Sequence, residues 1–161
     1  MAGIFDININ PWILMYIISM IPFIELRGAA VIGTAMGLPF WPMFFVCLLG
    51  NITPIPFVIY FGRRIFDWLG STKLLGDGIA SWKDLMARKA ENVLKYGPIA
   101  LITFVGIPIP GTGGWGGAIA SVFFDIPMKT AVPCIFTGLI IANLIMLFGS
   151  GLFFGILGML F

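Results

Sequence analysis

The chain has 161 residues, the size of one domain, with 60% hydrophobic and 10% charged residues and a mean hydropathy of +1.07. An aqueous domain carries about a quarter charged residues, so a soluble fold is excluded and an all-α integral membrane protein is expected. The net charge of +2 argues against nucleic-acid binding, and the absence of histidine removes Ser–His and Cys–His catalysis and most zinc sites.

Residues 7–24, 28–62, 96–124 and 130–161 contain no Asp, Glu, Lys or Arg. The start, MAGIFDININPW, lacks the basic opening of a cleavable signal peptide, so none is expected. Trp12–Ile21 is long enough to descend about 15 Å as a helix. Pro22 and Gly28 bracket a break, and residues 29–38 return. Glu25 and Arg27 lie in that break, flanked by long apolar runs on both sides. A charge at membrane depth costs several kcal/mol unless paired or wetted, which marks both residues as a site by default. On the extended backbone expected between Pro22 and Gly28 the two side chains point the same way. Burial disfavours the charged carboxylate and a guanidinium favours it, so Glu25 is placed to change protonation when an anionic group occupies Arg27. The alternative is a permanent ion pair that clips the hairpin.

A spanning helix, which needs about 20 apolar residues, is expected over roughly 40–62, with Asn51 bonding between helices or lining a polar path. The connector 63–95 holds seven of the nine basic residues and four acidic ones, which places it on the cytoplasmic side. Within it, Ser81-Trp82-Lys83-Asp84 is a capping-box pattern. Trp82, Leu85, Met86, Ala90, Val93 and Leu94 then repeat at helical spacing, as in an amphipathic helix on the membrane surface or a solvated cap.

The stretch 96–124 is too long for one crossing and too short for two with a turn. Pro108, Pro110, Gly111, Gly113, Gly114, Gly116 and Gly117 make its middle hostile to helix. A half-crossing of roughly 12 Å over 98–105 followed by a return along 118–124 gives a second re-entrant hairpin. The glycines either line a substrate path with bare amides or let backbone pack closely. Trp115 either covers that path or fills a void. The second spanning helix is expected at roughly 128–149 with an apolar tail to Phe161, Asn143 playing the part of Asn51. Gly33/Gly37 and Gly151/Gly155 are spaced for close helix contact. Trp12, Trp41, Trp82 and Tyr96 read as interface anchors. Cys47 and Cys134 read as small buried hydrophobes.

The halves resemble each other. Pro11-Trp12-Ile13 leads to Ile21-Pro22-Phe23 as Pro98-Ile99-Ala100 leads to Ile107-Pro108-Ile109, and Pro39 and Gly50 are matched by Pro127 and Gly138. One single transmembrane domain, 1–161, is therefore expected as repeat 1 (about 11–66), connector (about 67–95) and repeat 2 (about 97–155). One crossing between equivalent hairpins makes the repeats inverted, each a re-entrant hairpin plus a spanning helix. The alternative is four ordinary helices, two of them kinked, in a parallel arrangement.

The segments Ile21-Pro-Phe-Ile-Glu-Leu-Arg-Gly-Ala-Ala30 and Gly106-Ile-Pro-Ile-Pro-Gly-Thr-Gly-Gly-Trp-Gly-Gly117 resemble the small multi-drug export protein family, itself similar to the DedA/VTT (SNARE-associated Golgi protein) superfamily. The resemblance implies two facing re-entrant hairpins, proton-coupled movement of polyprenyl-phosphate or other lipid carriers, and an acidic residue at Glu25. The superfamily's second hairpin usually carries arginines, whereas 106–117 has none, leaving Arg27 as the buried cation.

These readings converge on a multi-pass, ion-coupled transporter or flippase in the plasma membrane of a prokaryote, working on a lipid-like, amphipathic, lipid-phosphate or drug-like substrate. Its expected partners are membrane lipids and a second copy in a homodimer, without nucleic acid, cofactor or metal. Its expected site combines Glu25 and Arg27 with Pro22, Pro108, Pro110, Gly111, Gly113, Gly114, Trp115, Asn51 and Asn143. The alternative is a non-transporting scaffold that recruits partners through its connector. An enzyme is not expected, because the chain lacks histidine and paired aspartates.

Overall fold

The structure, a computed structural model, describes residues 10–71, 77, 78, 80, 81, 84, 90–109 and 112–160. Every regular element among them is helical: α1 (Pro11–Met20), α2 (Glu25–Ala35), α3 (Phe40–Ile52), α4 (Ile55–Gly70), α5 (Ala90–Gly106), α6 (Gly114–Phe123) and α7 (Met128–Leu160). The capping box at Ser81–Asp84 and the amphipathic stretch from Trp82 lie largely outside the described residues.

Local chemistry sets the ends of these helices. Asn10 caps α1, its side-chain oxygen accepting from the Trp12 amide at 3.0 Å, with Pro11 in the first turn. The helix stops because Ile21 precedes Pro22 and takes the extended conformation (ψ 128°) that a following proline favours. At the end of α2, Gly37 adopts φ +72° and the Leu38 amide donates back to Gly33 O at 3.0 Å, a left-handed helix cap. The end of α6 repeats this: Asp125 takes φ +51° and the Ile126 amide donates to Ser121 O at 2.8 Å. A proline, Pro39 or Pro127, follows each cap and leads into the next helix.

The first long apolar stretch runs from Phe40 to Gly70, eight residues beyond the expected end at 62, so Arg63, Arg64 and Asp67 are helical. It is interrupted at Thr53–Pro54, because Pro54 and Pro56 cannot donate to the carbonyls of Gly50 and Ile52. The second, Met128–Ile156, belongs to α7, whose 33 residues continue as helix through the expected span and along its apolar tail. Both stretches are long and apolar enough to cross a membrane.

α5 packs most extensively against α7 and α1 against α3, while α2 crosses onto α7 and α6 onto α4. Two glycines make the closest of these approaches possible. A Cβ on Gly50 would stand 2.5 Å from Tyr16 O in α1, and one on Gly138 would stand 2.7 Å from Val105 Cβ in α5. Gly33 likewise faces the Met43 sulfur. Gly37, Gly151 and Gly155 correct the expectation of close helix contact: Gly37 is a cap residue, and nothing lies within 4 Å of the position a Cβ would take at any of the three.

The core is built from Met15, Leu26, Met43, Ile55, Ile59, Val105, Ile135, Leu139 and Leu147. The outward face is also apolar, with Trp41, Phe45, Leu49, Phe57, Phe61, Ile99, Phe148 and Leu152 exposed. A surface of large hydrophobic side chains around an equally apolar core suits lipid rather than water. Cys47 and Cys134 are free and buried.

Candidate functional site

Two interruptions face each other. The first, Ile21–Ile24, separates α1 from α2. The expectation that Glu25 and Arg27 sit on extended backbone is corrected, because helix resumes at Glu25 and both residues occupy the first turn of α2. Gly28 does not end the break. Its amide donates to Ile24 O at 2.8 Å within the helix. The cost falls on Phe23 and Glu25, which take φ +73° and +51°, a region that costs a non-glycine residue about 1–3 kcal/mol. Phe23 is 89% exposed, whereas Glu25 is buried at 4%.

The second interruption separates α5 from α6. Helix resumes at Gly114, so Gly114, Gly116 and Gly117 are helical, contrary to the expectation that the glycine run resists helix. Packing decides this. A Cβ on Gly117 would press into Val105, and the helix can lie this close because the glycines have no side chains. Thr112 steadies the break, its hydroxyl reaching Ile107 O at 2.8 Å and Ile109 O at 2.9 Å. Pro108 is half-buried in the break, as Pro22 is in the first, while Pro110 and Gly111 lie outside the described residues.

Glu25 and Arg27 are not an ion pair, so the pairing that the clip alternative assumed is replaced by bonds from each residue to the second break. They diverge to opposite ends of the second break. The Arg27 guanidinium donates through Nη2 to Ile107 O at 3.0 Å, Thr112 Oγ1 at 3.1 Å and Val105 O at 3.4 Å, and through Nη1 to Ile109 O. It thus gathers carbonyls at the C-terminal end of α5, where a helix dipole favours a cation. Glu25 Oε1 accepts from the Trp115 amide at 3.1 Å, and the Gly114 amide also points at the carboxylate. This is the N-terminus of α6, where unsatisfied amides and the dipole favour an anion. Gly113 must be glycine, because a Cβ there would fall on the Glu25 carboxylate.

The bracing is reciprocal. Trp115 Nε1 donates at 3.1 Å to Met20 O, the last carbonyl of α1. Each broken segment therefore satisfies backbone groups the other leaves open. The charge-assisted bonds made by Arg27 and Glu25 contribute about 1.5–3 kcal/mol each, and the neutral bond from Trp115 to Met20 O about 0.5–1.5 kcal/mol.

The two asparagines differ. Asn143 Nδ2 donates to Phe44 O at 2.8 Å, an interhelical bond from α7 to α3. Asn51 makes none, so of its two expected roles the interhelical bond is corrected. It is wholly buried, neither its Oδ1 nor its Nδ2 has a partner, and its Oδ1 stands against Gly114.

Three contributors were not singled out in the sequence. Thr112 has no motif. Arg63 and Asp125 join at 3.1 Å, with Arg63 also donating to Ile126 O, and tie α4 to the turn after α6. The isolation of Asp125 between two apolar runs was the available signal. Among the described residues no group of three His, Cys, Asp or Glu side chains converges.

Residues 25–145 match a protein-family model described as putative small multi-drug export protein. No curated protein and no solved structure matches the chain at a significant level.

Proposed function

This chain belongs to the small multi-drug export protein family, and we propose that it is an ion-coupled transporter for a lipid-like or amphipathic substrate, with polyprenyl-phosphate and drug-like molecules as candidate cargo. It is a multi-pass protein of a prokaryotic plasma membrane, non-enzymatic, with connector 63–95 in the cytoplasm and kinship to the DedA superfamily. The two helix–break–helix segments are re-entrant hairpins entering from opposite faces as inverted repeats. Three pairs at one common sequence spacing support the repeat: Gly37 with Asp125, Pro39 with Pro127, and Gly50 with Gly138. So does the matched exchange in which α2 packs on α7 and α6 on α4. Interrupted backbone at membrane depth must be covered by protein or face a water-filled path, and the mutual bracing of the breaks meets that need. The small volume one chain encloses favours a homodimer.

The observation that carries this reading is that Glu25 and Arg27 hold the two hairpin tips together through backbone groups. Such a brace can be released. Protonation of Glu25 weakens its hold on the α6 amides, and an anionic group on the substrate competes with the carbonyls for Arg27. Release of both would let one hairpin move against the other, the rocking of repeats on which alternating access depends.

The test is flux of a fluorescent phosphate-bearing lipid in proteoliposomes under an imposed pH gradient. Wild-type protein is expected to move the lipid in a gradient-dependent way, and Glu25→Gln, folded to the same extent, is expected to lose that dependence. Unchanged flux in Glu25→Gln would remove the coupling role. Absence of flux in both, with altered connectors disturbing partner recruitment, would favour the scaffold.

A further inference from the structure

The N-terminus of α6 and the Asn51 side chain beside it together carry more hydrogen-bonding capacity than the Glu25 carboxylate uses. Two amides, of Gly114 and Trp115, point at that carboxylate, and a carboxylate has two oxygens to offer them. Against Gly114 stands the carboxamide of Asn51, 0% exposed and without a partner for either polar atom. A half-turn about its terminal torsion exchanges Oδ1 for Nδ2 at that position, which adds a third donor. A buried polar group left unpaired costs about 1–3 kcal/mol, so the carboxamide marks a place where a ligand would recover that cost. Gly113 and Gly114 have no side chain to keep a ligand from the amides.

We infer that the α6 N-terminus and Asn51 form a seat for a tetrahedral oxyanion, in which the Glu25 carboxylate sits as a tethered substitute until a phosphate-like group displaces it. Three donors match three oxygens of a phosphate monoester, one more than a carboxylate presents. Glu25 is placed to leave: it opens α2 at φ +51°, next to a break whose Phe23 is also left-handed. Its displaced carboxylate, removed from the amides that favoured its charge, takes a proton from water on the open side. One proton is then taken up for each oxyanion bound.

The charged group acting on Glu25 is Arg27, on its own helix. Of the elements packed on α2, α1 carries Tyr16, bonded to Thr53; α3 carries Cys47; α7 carries Cys134 and the exposed Lys129; none of them acts on the Glu25 carboxylate. α6, which supplies the amides, has no titratable side chain.

This inference rests on the reading of Glu25 as the coupling group, and the experiment separates the two. Full-length protein in phosphatidylcholine nanodiscs is titrated with inorganic phosphate and, in a second arm, with short-chain phosphatidic acid, while proton uptake is measured in weak buffer. The expected result is one proton taken up per anion bound in wild type. Response to both probes identifies the bare oxyanion as sufficient, and response to phosphatidic acid alone identifies a lipid headgroup as its source. Glu25→Gln is expected to bind about tenfold more tightly without proton uptake, and Asn51→Leu about tenfold more weakly. Asn51→Leu removes a carboxamide that has no bond to lose, so it is expected to fold at least as well as wild type. Binding without proton uptake in wild type, or equal binding in wild type and Asn51→Leu, would overturn the inference while leaving Glu25-dependent flux intact. Loss of that flux dependence would instead remove the underlying reading.

Discussion

The two interruptions solve one problem in opposite ways. The first is short, Ile21–Ile24, and is followed at once by a carboxylate and a guanidinium. The second is longer, lies between Gly106 and Gly114, carries no charge, and offers bare carbonyls at one end and bare amides at the other. Charge in one segment is matched to backbone dipole in the other. Neither is complete alone, because a buried charge without a partner and a helix end without a cap are both costly. The lesson is that an acid and a base two residues apart between apolar runs need not pair with each other when each has a helix terminus of the favourable sign within reach.

Removing the cation should disturb this arrangement most. Arg27→Leu removes the charge-assisted bonds to Val105 O, Ile107 O, Ile109 O and Thr112 Oγ1, and we expect a loss of about 1.5–3 kcal/mol, read as a clear drop in thermal stability in detergent. Arg27→Lys should recover only part of it, since an ammonium cannot span the same set of acceptors. The reciprocal contact is smaller. Trp115→Phe keeps the ring but frees Met20 O, and an unfolding midpoint lowered by the equivalent of about 0.5–1.5 kcal/mol is expected. A near-wild-type midpoint would show that the bracing runs in one direction only.

The smallest effects compare the two left-handed caps. Gly37→Ala meets no neighbour, so its cost is backbone strain alone, about 1 kcal/mol. Asp125→Gly relieves that strain in the other half and gives up an ion pair whose carboxylate is 79% exposed, so stability is expected to stay within about 1 kcal/mol of wild type. Opposite responses at the two positions would confirm that equivalent caps are built from different residues, and equal losses would break the equivalence.

Much of the skeleton was legible because proline and the lack of charge act locally. Pro22 ends α1 through the residue before it, and the charge-free stretches after Pro39 and after Lys129 hold the long helices. The errors came from interactions at a distance. Helix propensity reads the glycine run as a break, yet Gly114–Gly117 are helical because tertiary contact with Val105 and Ile135 outweighs about 1 kcal/mol per glycine. α4 ends at Gly70, beyond the expected 62, because apolar composition marks the edge of a membrane, not the end of a helix. The partners of Arg27 were invisible for another reason: they are carbonyl oxygens up to 82 residues away, and a backbone carbonyl has no letter in the sequence. Asn51 and Asn143 read alike by position, and only packing shows one bonded and the other not.

The contact between the tips can be tested most directly at Gly113, where any side chain would overlap the Glu25 carboxylate. Unfolding free energies of wild type, Gly113→Ala, Glu25→Ala and the double variant form a cycle. We predict that Gly113→Ala destabilises the protein by about 1–3 kcal/mol when Glu25 is present and by much less in the Glu25→Ala background. Equal losses in both backgrounds would mean that the carboxylate does not sit at the start of α6, and the bracing of the two interrupted segments would have to be abandoned.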